Sequence, residues 1–263
     1  MFSRGDGIAL ERAEIERVKY TIRPCETLEE LADLVKIQKE IWGYAEHEVY
    51  PLRLFVTLRK IGGQVLGAFT PRGALVGFVA SLPAWHGDER YYHSLSLGVL
   101  RAHENQGLGR ALKTAQRREA LEAGIGLIEW TFDPLRAKNA FLNIVRLGAV
   151  ARSYLPDYYG EVESRFQRGL PSDRLIAEWR LSSTRVKRAL AGKPPRSGKA
   201  APAAMLEIPA DIDRLRQSNP AEARRRQLAV RKRLQEFFAQ KLAITGFEHD
   251  VTRGRYILDP YED

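Results

Sequence analysis

Two glycines one residue apart, Gly107 and Gly109, sit where an alternating run gives way to a helical one. Before them His93, Leu95, Leu97 and Val99 alternate with smaller residues, as on a strand. After them Leu108, Ala111, Leu112 and Ala115 recur at helical spacing. At such a junction glycines let the backbone approach a ligand, and the first helical N–H groups have no internal acceptor. That arrangement suits an anion, above all a phosphate or pyrophosphate. A tight strand-to-helix turn that needs small residues for packing would use the same glycines, and Gly-x-Gly alone does not choose between the two. A second stretch, Trp42 to Tyr50, gathers Trp42, Tyr44, Glu46, His47, Glu48 and Tyr50 and breaks the helical pattern before it.

Composition narrows the chemistry around these two stretches. The chain has 263 residues, 44% hydrophobic and 29% charged, enough apolar material for a real core. A single cysteine, Cys25, excludes an internal disulfide, and the five histidines show no metal-ligand spacing, so no metal is expected. The first twenty residues alternate charges without an apolar h-region, and no run reaches membrane-spanning length. A cytoplasmic protein without membrane attachment is the expectation. The net charge is +9. Residues 182–204 carry cations without a carboxylate beside Pro194-Pro195, the composition of a linker. Arg224 to Arg226 and Arg231 to Arg233 fall on the polar face of a helix. Both read better as solvated surface than as nucleic-acid contacts.

Several elements must position the glycine turn. Lys19 to Pro24 reads as a strand, and Thr27 with Glu30 forms a capping box opening a helix whose stripe is Leu28, Leu31, Val35 and Trp42. Pro51 opens a second helix carrying Leu52, Phe55, Val56 and Ile61 to a Gly62-Gly63 stop. Residues 64–70 and 74–83 form a hairpin, and residues 84–90, with Trp85 and His86, a loop. The helix after the glycines runs to Ala123, followed by a strand at 127–132, a helix at 137–147, and strands at 149–154 and 173–181. Beyond the linker come an extended piece at 205–208, a long helix from Pro220 and two short strands. The whole is an α/β chain with a layered mixed sheet, divided as a lead segment 1–18, a domain 19–181, the linker 182–204 and a C-terminal helix-and-strand extension 205–263.

This order resembles the GNAT superfamily of acyl-CoA N-acyltransferases, over about Lys19 to Leu181. Val99 and Glu104-Asn105-Gln106-Gly107-Leu108-Gly109 match its donor motif, and Arg146-Leu147-Gly148-Ala149 its second signature. The resemblance implies a mostly antiparallel central sheet flanked by helices. It implies acetyl-CoA or another acyl-CoA as co-substrate, with the amides of Asn105, Gln106, Gly107, Leu108, Gly109 and Arg110 holding the pyrophosphate. Leu97 and Val99 would offer backbone groups to pantetheine, and Arg101, Arg110 and Lys113 would meet further phosphates. Neither Rossmann nor P-loop readings compete, because there is no third glycine at Leu112 and no Lys-Ser/Thr pair. Two positions depart from the family. Glu104 stands where Arg or Gln is usual, so its carboxylate must face solvent or a cation. Ile144 stands where many members carry a proton-donating tyrosine, and Ala137 where an asparagine touches CoA, leaving Asn139 and Asn143 to take over.

The implied reaction is direct attack of a primary amine of a small molecule on the thioester in a ternary complex. Glu129, Asp133 and His93 are the candidate bases, Asp133 also being suited to capping its turn before Pro134. Tyr154, Tyr158 and Tyr159 are the candidate acids, with ordinary aromatic packing as the alternative for each. Trp42, Tyr44, Glu46, His47, Glu48 and Tyr50, with His93, Trp85 and His86, would line the acceptor pocket. A homodimer is compatible with this reading. The rival class is a catalytically degenerate module that binds CoA, nucleic acid or a protein partner on the same fold.

Overall fold

A computed structural model describes residues 20–160, 169–194 and 201–261; the lead segment 1–18 and linker residues 195–200 lie outside the described residues. The opening strand β1 (Thr21–Pro24) leads into α1 (Leu28–Trp42), where Thr27 and Glu30 cap each other's backbone as expected. The buried stripe of α1 is Leu31, Leu34, Ile37 and Ile41, while Leu28 is 65% exposed. The expected stripe was anchored on Leu28 at the cap, one position away from the face that meets the sheet. Glu30 also accepts from Arg23 at 2.5 Å. That bond and the amides of Glu26 and Thr27 hold its carboxyl at about 2. Stability from this cap should therefore be complete above pH ~5 and fade as pH falls toward 2, because the unfolded carboxyl titrates near ~4.3. Thr27→Ala should cost about 1 kcal/mol at pH 7, read from urea midpoints.

Helix α2 (Leu52–Lys60) buries Phe55 and Leu58 and leaves Val56 and Ile61 exposed. Strands β2 (Gln64–Phe69), β3 (Leu75–His86) and β4 (Glu89–Val99) then form an antiparallel meander. The expected loop at 84–90 is instead strand, because Gly87 in a left-handed conformation turns the chain tightly and the β3–β4 ladder continues to His86↔Glu89. Helix α3 (Leu108–Glu122) crosses back to β5 (Leu127–Phe132), which pairs with β4 in parallel, and β7 (Arg174–Arg180) adds antiparallel to β5 with β6 (Tyr154–Leu155) at the edge. The order is β1-β2-β3-β4-β5-β7-β6.

Between β5 and β6 lies α4 (Ala137–Ala140), continued by a π-helical turn at Phe141–Arg146 that contains Ile144. The expected strand at 149–154 is reduced to single bridges, Val150 to Glu178 and Ala151 to Ile244. Those bridges join the main sheet to a second one, in which β8 (Ala204–Pro209) and β9 (Leu242–His249) flank β10 (Arg253–Pro260). The basic segment is not all linker: Ser183 caps α5 (Thr184–Leu190), which buries Val186 and Ala189. Two further helices follow: α7 (Pro220–Ala239) packs on β8 and β9, and α6 (Ile212–Ser218) packs against α7. Trp130, Leu175, Trp179, Val230, Leu234, Ile244 and Tyr256 belong to one buried cluster, so the C-terminal part shares a core with β5 and β7. No described helix is long and apolar enough to cross a membrane.

Candidate active site

The site begins at a fault in the sheet. A bulge between Ala80 and Ser81 leaves Leu95 without a partner on β3, which bends β4. The β4–β5 ladder consists only of Tyr92↔Ile128 and His93↔Glu129, so the strands part beyond it. From Leu95 onward the β5-facing backbone of β4 has no ladder partner. A cleft of about 540 Å³ opens there, lined on one side by Leu95 to Leu97, on the other by Thr131 to Asp133, and roofed by Trp42 to Pro51.

The glycine turn lies at the end of the same strand. Asn105 (φ 61°) and Gly107 (φ 81°) are left-handed, and α3 begins at Gly107 without any side-chain cap. A side chain at Gly107 would meet nothing within 4 Å. Arg110 stands on the first turn with its Nε buried and unpartnered. Gln106 takes a hydrogen bond from Tyr20, and Leu108 is buried against the sheet, so only their backbone faces this cradle. Val99 likewise packs its side chain against the α3 core. Glu104 points to a cation as expected, pairing with Lys138 at 2.7 Å. Arg101 is exposed on the preceding turn.

Lys113 departs from expectation. Its ammonium is buried, bonded to Ser94 and Gln116 at 2.9 Å and seated 3.7 Å above the Trp130 ring. Burial lowers its pKa well below the usual value, and it cannot reach a phosphate at the cradle. The cations that sequence reading missed are Arg118 and Arg146, which share with Gly107 and Arg110 a groove of about 440 Å³. Four and eight residues separate Arg110 from Thr114 and Arg118, a helical spacing that could have revealed part of it.

The roof of the cleft is aromatic. Trp42 stacks on Tyr44 (5.4 Å between rings), and Tyr50 and Tyr159 complete the lining. Burial raises the pKa of Tyr44, and pushes that of Tyr50 up to about 12. Glu48 and His47 line the cleft, with Glu48 Oε1 3.8 Å from His47 Nε2. Glu46 does not: its carboxylate pairs outward with Lys39, because a 3-10 turn at Glu46–Glu48 points successive residues in different directions. Asp133 lines the cleft but both oxygens are taken, by the Leu135 amide at 2.8 Å and Arg216 at 3.1 Å. Its turn-capping role is thus the one seen.

Among the expected acids, Tyr154 is corrected. Its hydroxyl donates to Asp173 at 2.6 Å, and burial together with that carboxylate raises its pKa. Held in this way it is a structural donor and lines no part of the cleft. Tyr158 is half-exposed and also outside the cleft. Tyr159 is the tyrosine that lines it, its hydroxyl 2.9 Å from Thr131 Oγ1. A left-handed Asp157 and bonds from the 158 and 159 amides to Ser172 set that direction. Glu129 is buried two residues below Thr131, with Oε2 3.0 Å from His86 Nε2, and does not line the cleft. His86 stacks on Tyr91, and Trp85 is 60% exposed on the hairpin. His93 is largely buried, which lowers its pKa, and is likewise outside the cleft. Asn139 lines the cleft, whereas Asn143 is buried in the π-helical turn. Ile144 is fully buried in the core. No group of three or more metal-ligating side chains occurs among the described residues.

A mixed sheet whose parallel pair splays beside an uncapped helix N-terminus is the architecture of the acyltransferase fold. Residues 29–142 match the family described as Acetyltransferase (GNAT) family. Among solved structures it is similar to a GNAT-family protein from Desulfovibrio desulfuricans, with 15% identity and a TM-score of 0.51 over 62% of this chain and 100% of that one. It is also similar to a chain of the NatC complex bound to Gag peptide and CoA, with 14% identity and a TM-score of 0.50 over 62% and 99%. Both likenesses concern the fold. No curated protein matches the chain.

Proposed function

We propose that the chain is an acyl-CoA-dependent N-acyltransferase that moves an acetyl or larger acyl group to a primary amine of a small molecule. The observation that carries this reading is one strand, β4, that lines the aromatic cleft along an edge unpaired towards β5 and leads at its end to the uncapped start of α3. The cradle residues fit a diphosphate: a bare helix N-terminus, a glycine with space beside it and an arginine with a buried unpartnered nitrogen. The NatC neighbour, solved with CoA, has the same fold.

In this reading acyl-CoA supplies the thioester, and the β5-facing amides of β4 at Leu97 and Val99 orient it and polarise its carbonyl. The acceptor enters as an ammonium among Trp42, Tyr44 and Tyr50, whose faces suit a cation. Glu48 takes its proton, since the other cleft carboxylate, Asp133, is engaged on both oxygens. The free amine forms the C–N bond and the C–S bond breaks; Tyr159 gives its hydroxyl proton to the departing thiolate, and the proton that the new amide nitrogen sheds returns through water to the Tyr159 phenolate. Thr131 orients that hydroxyl. Glu129 holds His86 against β5.

A thiol-release assay with acetyl-, propionyl- and succinyl-CoA against amino acids and polyamines tests the proposal. CoA binding without turnover on any amine would support the degenerate module instead, a reading favoured by the buried Ile144. Tyr159→Phe is expected to lower kcat about 100-fold with little change in CoA affinity, while Tyr154→Phe retains kcat. Equal kcat losses in the two variants would remove Tyr159 from its role. Glu104→Gln releases Lys138 beside the cradle and should tighten CoA binding two- to fivefold by calorimetry, on the order of an exposed ion pair's effect.

A further inference from the structure

The glycine turn has few bonds of its own. Among the described residues no backbone carbonyl accepts from the amides of Asn105, Gln106 or Gly107. Asn105 is also left-handed at φ 61°, a conformation that costs energy for any residue with a Cβ, though less for Asn than for most. Side chains must therefore hold the turn in shape. One tie is the Glu104–Lys138 pair, whose cation is 68% exposed, so it contributes little. The other comes from Tyr20, just before β1 and ahead of the residues that match the family.

The Tyr20 hydroxyl lies 2.8 Å from His103 Nδ1 and 2.8 Å from Gln106 Oε1. An amide oxygen only accepts, and a hydroxyl carries one proton. Tyr20 therefore donates to Gln106, and His103, with a proton on Nδ1, donates to Tyr20. Gln106 Nε2 in turn donates to the Ala102 carbonyl at 3.5 Å, so the chain of bonds runs across the turn and back. The Tyr20 ring meets the His103 ring edge-on at 5.7 Å and packs with Leu108 and Leu112 of α3. One hydroxyl thus fastens the residues on both sides of the left-handed step at Asn105. Tyr20 is itself followed by the Thr21↔Phe69 pair that joins β1 to β2.

We propose that Tyr20 is a positioning residue for the donor: its hydroxyl fastens His103 and Gln106 so that the glycine turn is shaped before acyl-CoA arrives. This inference rests on the acyl-CoA reading above. Tyr20 acts through the turn and touches no reacting atom. Without its hydroxyl, the cost of ordering the turn is drawn from the affinity for the donor. Loss of the hydroxyl should therefore raise KM for acyl-CoA and leave kcat unchanged. A hydrogen bond of ordinary net strength corresponds to about three- to tenfold in affinity.

Calorimetry with CoA and amide 15N relaxation, both on the full chain, test this. Tyr20→Phe keeps the ring and its packing, and should bind CoA about three- to tenfold more weakly than wild type. Without ligand, the Gly107 amide should have an order parameter near ~0.85 in wild type and below ~0.6 in the variant, with saturating CoA restoring it. His103→Leu should match Tyr20→Phe. His103→Asn, whose amide can donate from near the Nδ1 position, should stay within about twofold of wild type. The double variant Tyr20→Phe with His103→Leu should bind CoA within about twofold of either single one, because both remove the same chain of bonds. If Tyr20→Phe binds CoA as tightly as wild type, or loses affinity with the Gly107 amide unchanged, the positioning role is overturned and the acyl-CoA reading stands. If wild type does not bind CoA, the acyl-CoA reading fails and takes the inference with it.

Discussion

Replacing Gly107 by Asp is expected to lower CoA affinity at least 100-fold while the fold remains intact. Gly107 has φ 81°, and a side chain there would meet nothing within 4 Å. Asp tolerates left-handed backbone better than most residues, so the strain should cost only about 1 kcal/mol. Its carboxylate cannot cap α3 from that conformation, because a capping side chain needs an extended backbone. It therefore stands where the diphosphate would lie. Two unit charges about 4 Å apart repel by roughly 1 to 4 kcal/mol between bulk water and a protein surface, which spans the 100-fold loss. Gly107→Ala isolates the strain and should keep CoA affinity within a few-fold. Calorimetry and thermal melts on the two variants decide the matter: undiminished CoA binding by Gly107→Asp would refute the cradle's role.

Arg231→Ala should destabilise the protein by about 3–5 kcal/mol, a large share of the 5–15 kcal/mol typical of folded domains. Asp173 is fully buried, and Arg231 from α7 bonds both of its oxygens, at 2.5 and 2.9 Å. The remaining partners are the Tyr154 hydroxyl and the Asp157 amide. Removing the guanidinium strands a carboxylate where water does not reach. The same loop carries Ser172, which holds the 158–159 turn and with it Tyr159, so turnover should fall alongside stability. Adding Asp173→Asn should recover part of the loss, since the stranded charge is then gone. Urea denaturation reads all three proteins. A penalty below about 1 kcal/mol for Arg231→Ala would show that the pair is not a keystone of the C-terminal packing.

These variants touch features of different origin. The α1 capping box, the β2–β3 hairpin, strand 127–132 and the start of α3 were all legible locally. Each is marked by residues within one turn of each other: Thr27 with Glu30, Pro71 to Gly73, the apolar run before Asp133, and Gly107 after Val99. Signals of that kind act over short distances and survive without knowledge of the rest of the chain. The loop expected around Trp85 and His86 failed for a different reason. Polar and bulky residues there resemble a loop, but a ladder against β4 satisfies their backbone. The strand expected after Gly148 failed because it finds single partners on two sheets in place of one ladder.

Sequence alone determined the glycine-bounded start of α3 and the order of elements around it, because such a helix start is a local property of the backbone. Only tertiary structure decided which side chains meet in the cleft. Three tyrosines follow one another closely after the π-helical turn, yet Asp173 sequesters Tyr154, solvent takes Tyr158, and a turn tied to Ser172 brings Tyr159 to Thr131. Glu46 and Glu48 are divided in the same way, by the twist of a single 3-10 turn and the reach of Lys39. Arg216 reaches Asp133 from 83 residues away. Direction and partnership of a side chain depend on what distant segments place beside it, and no spacing along the chain encodes that.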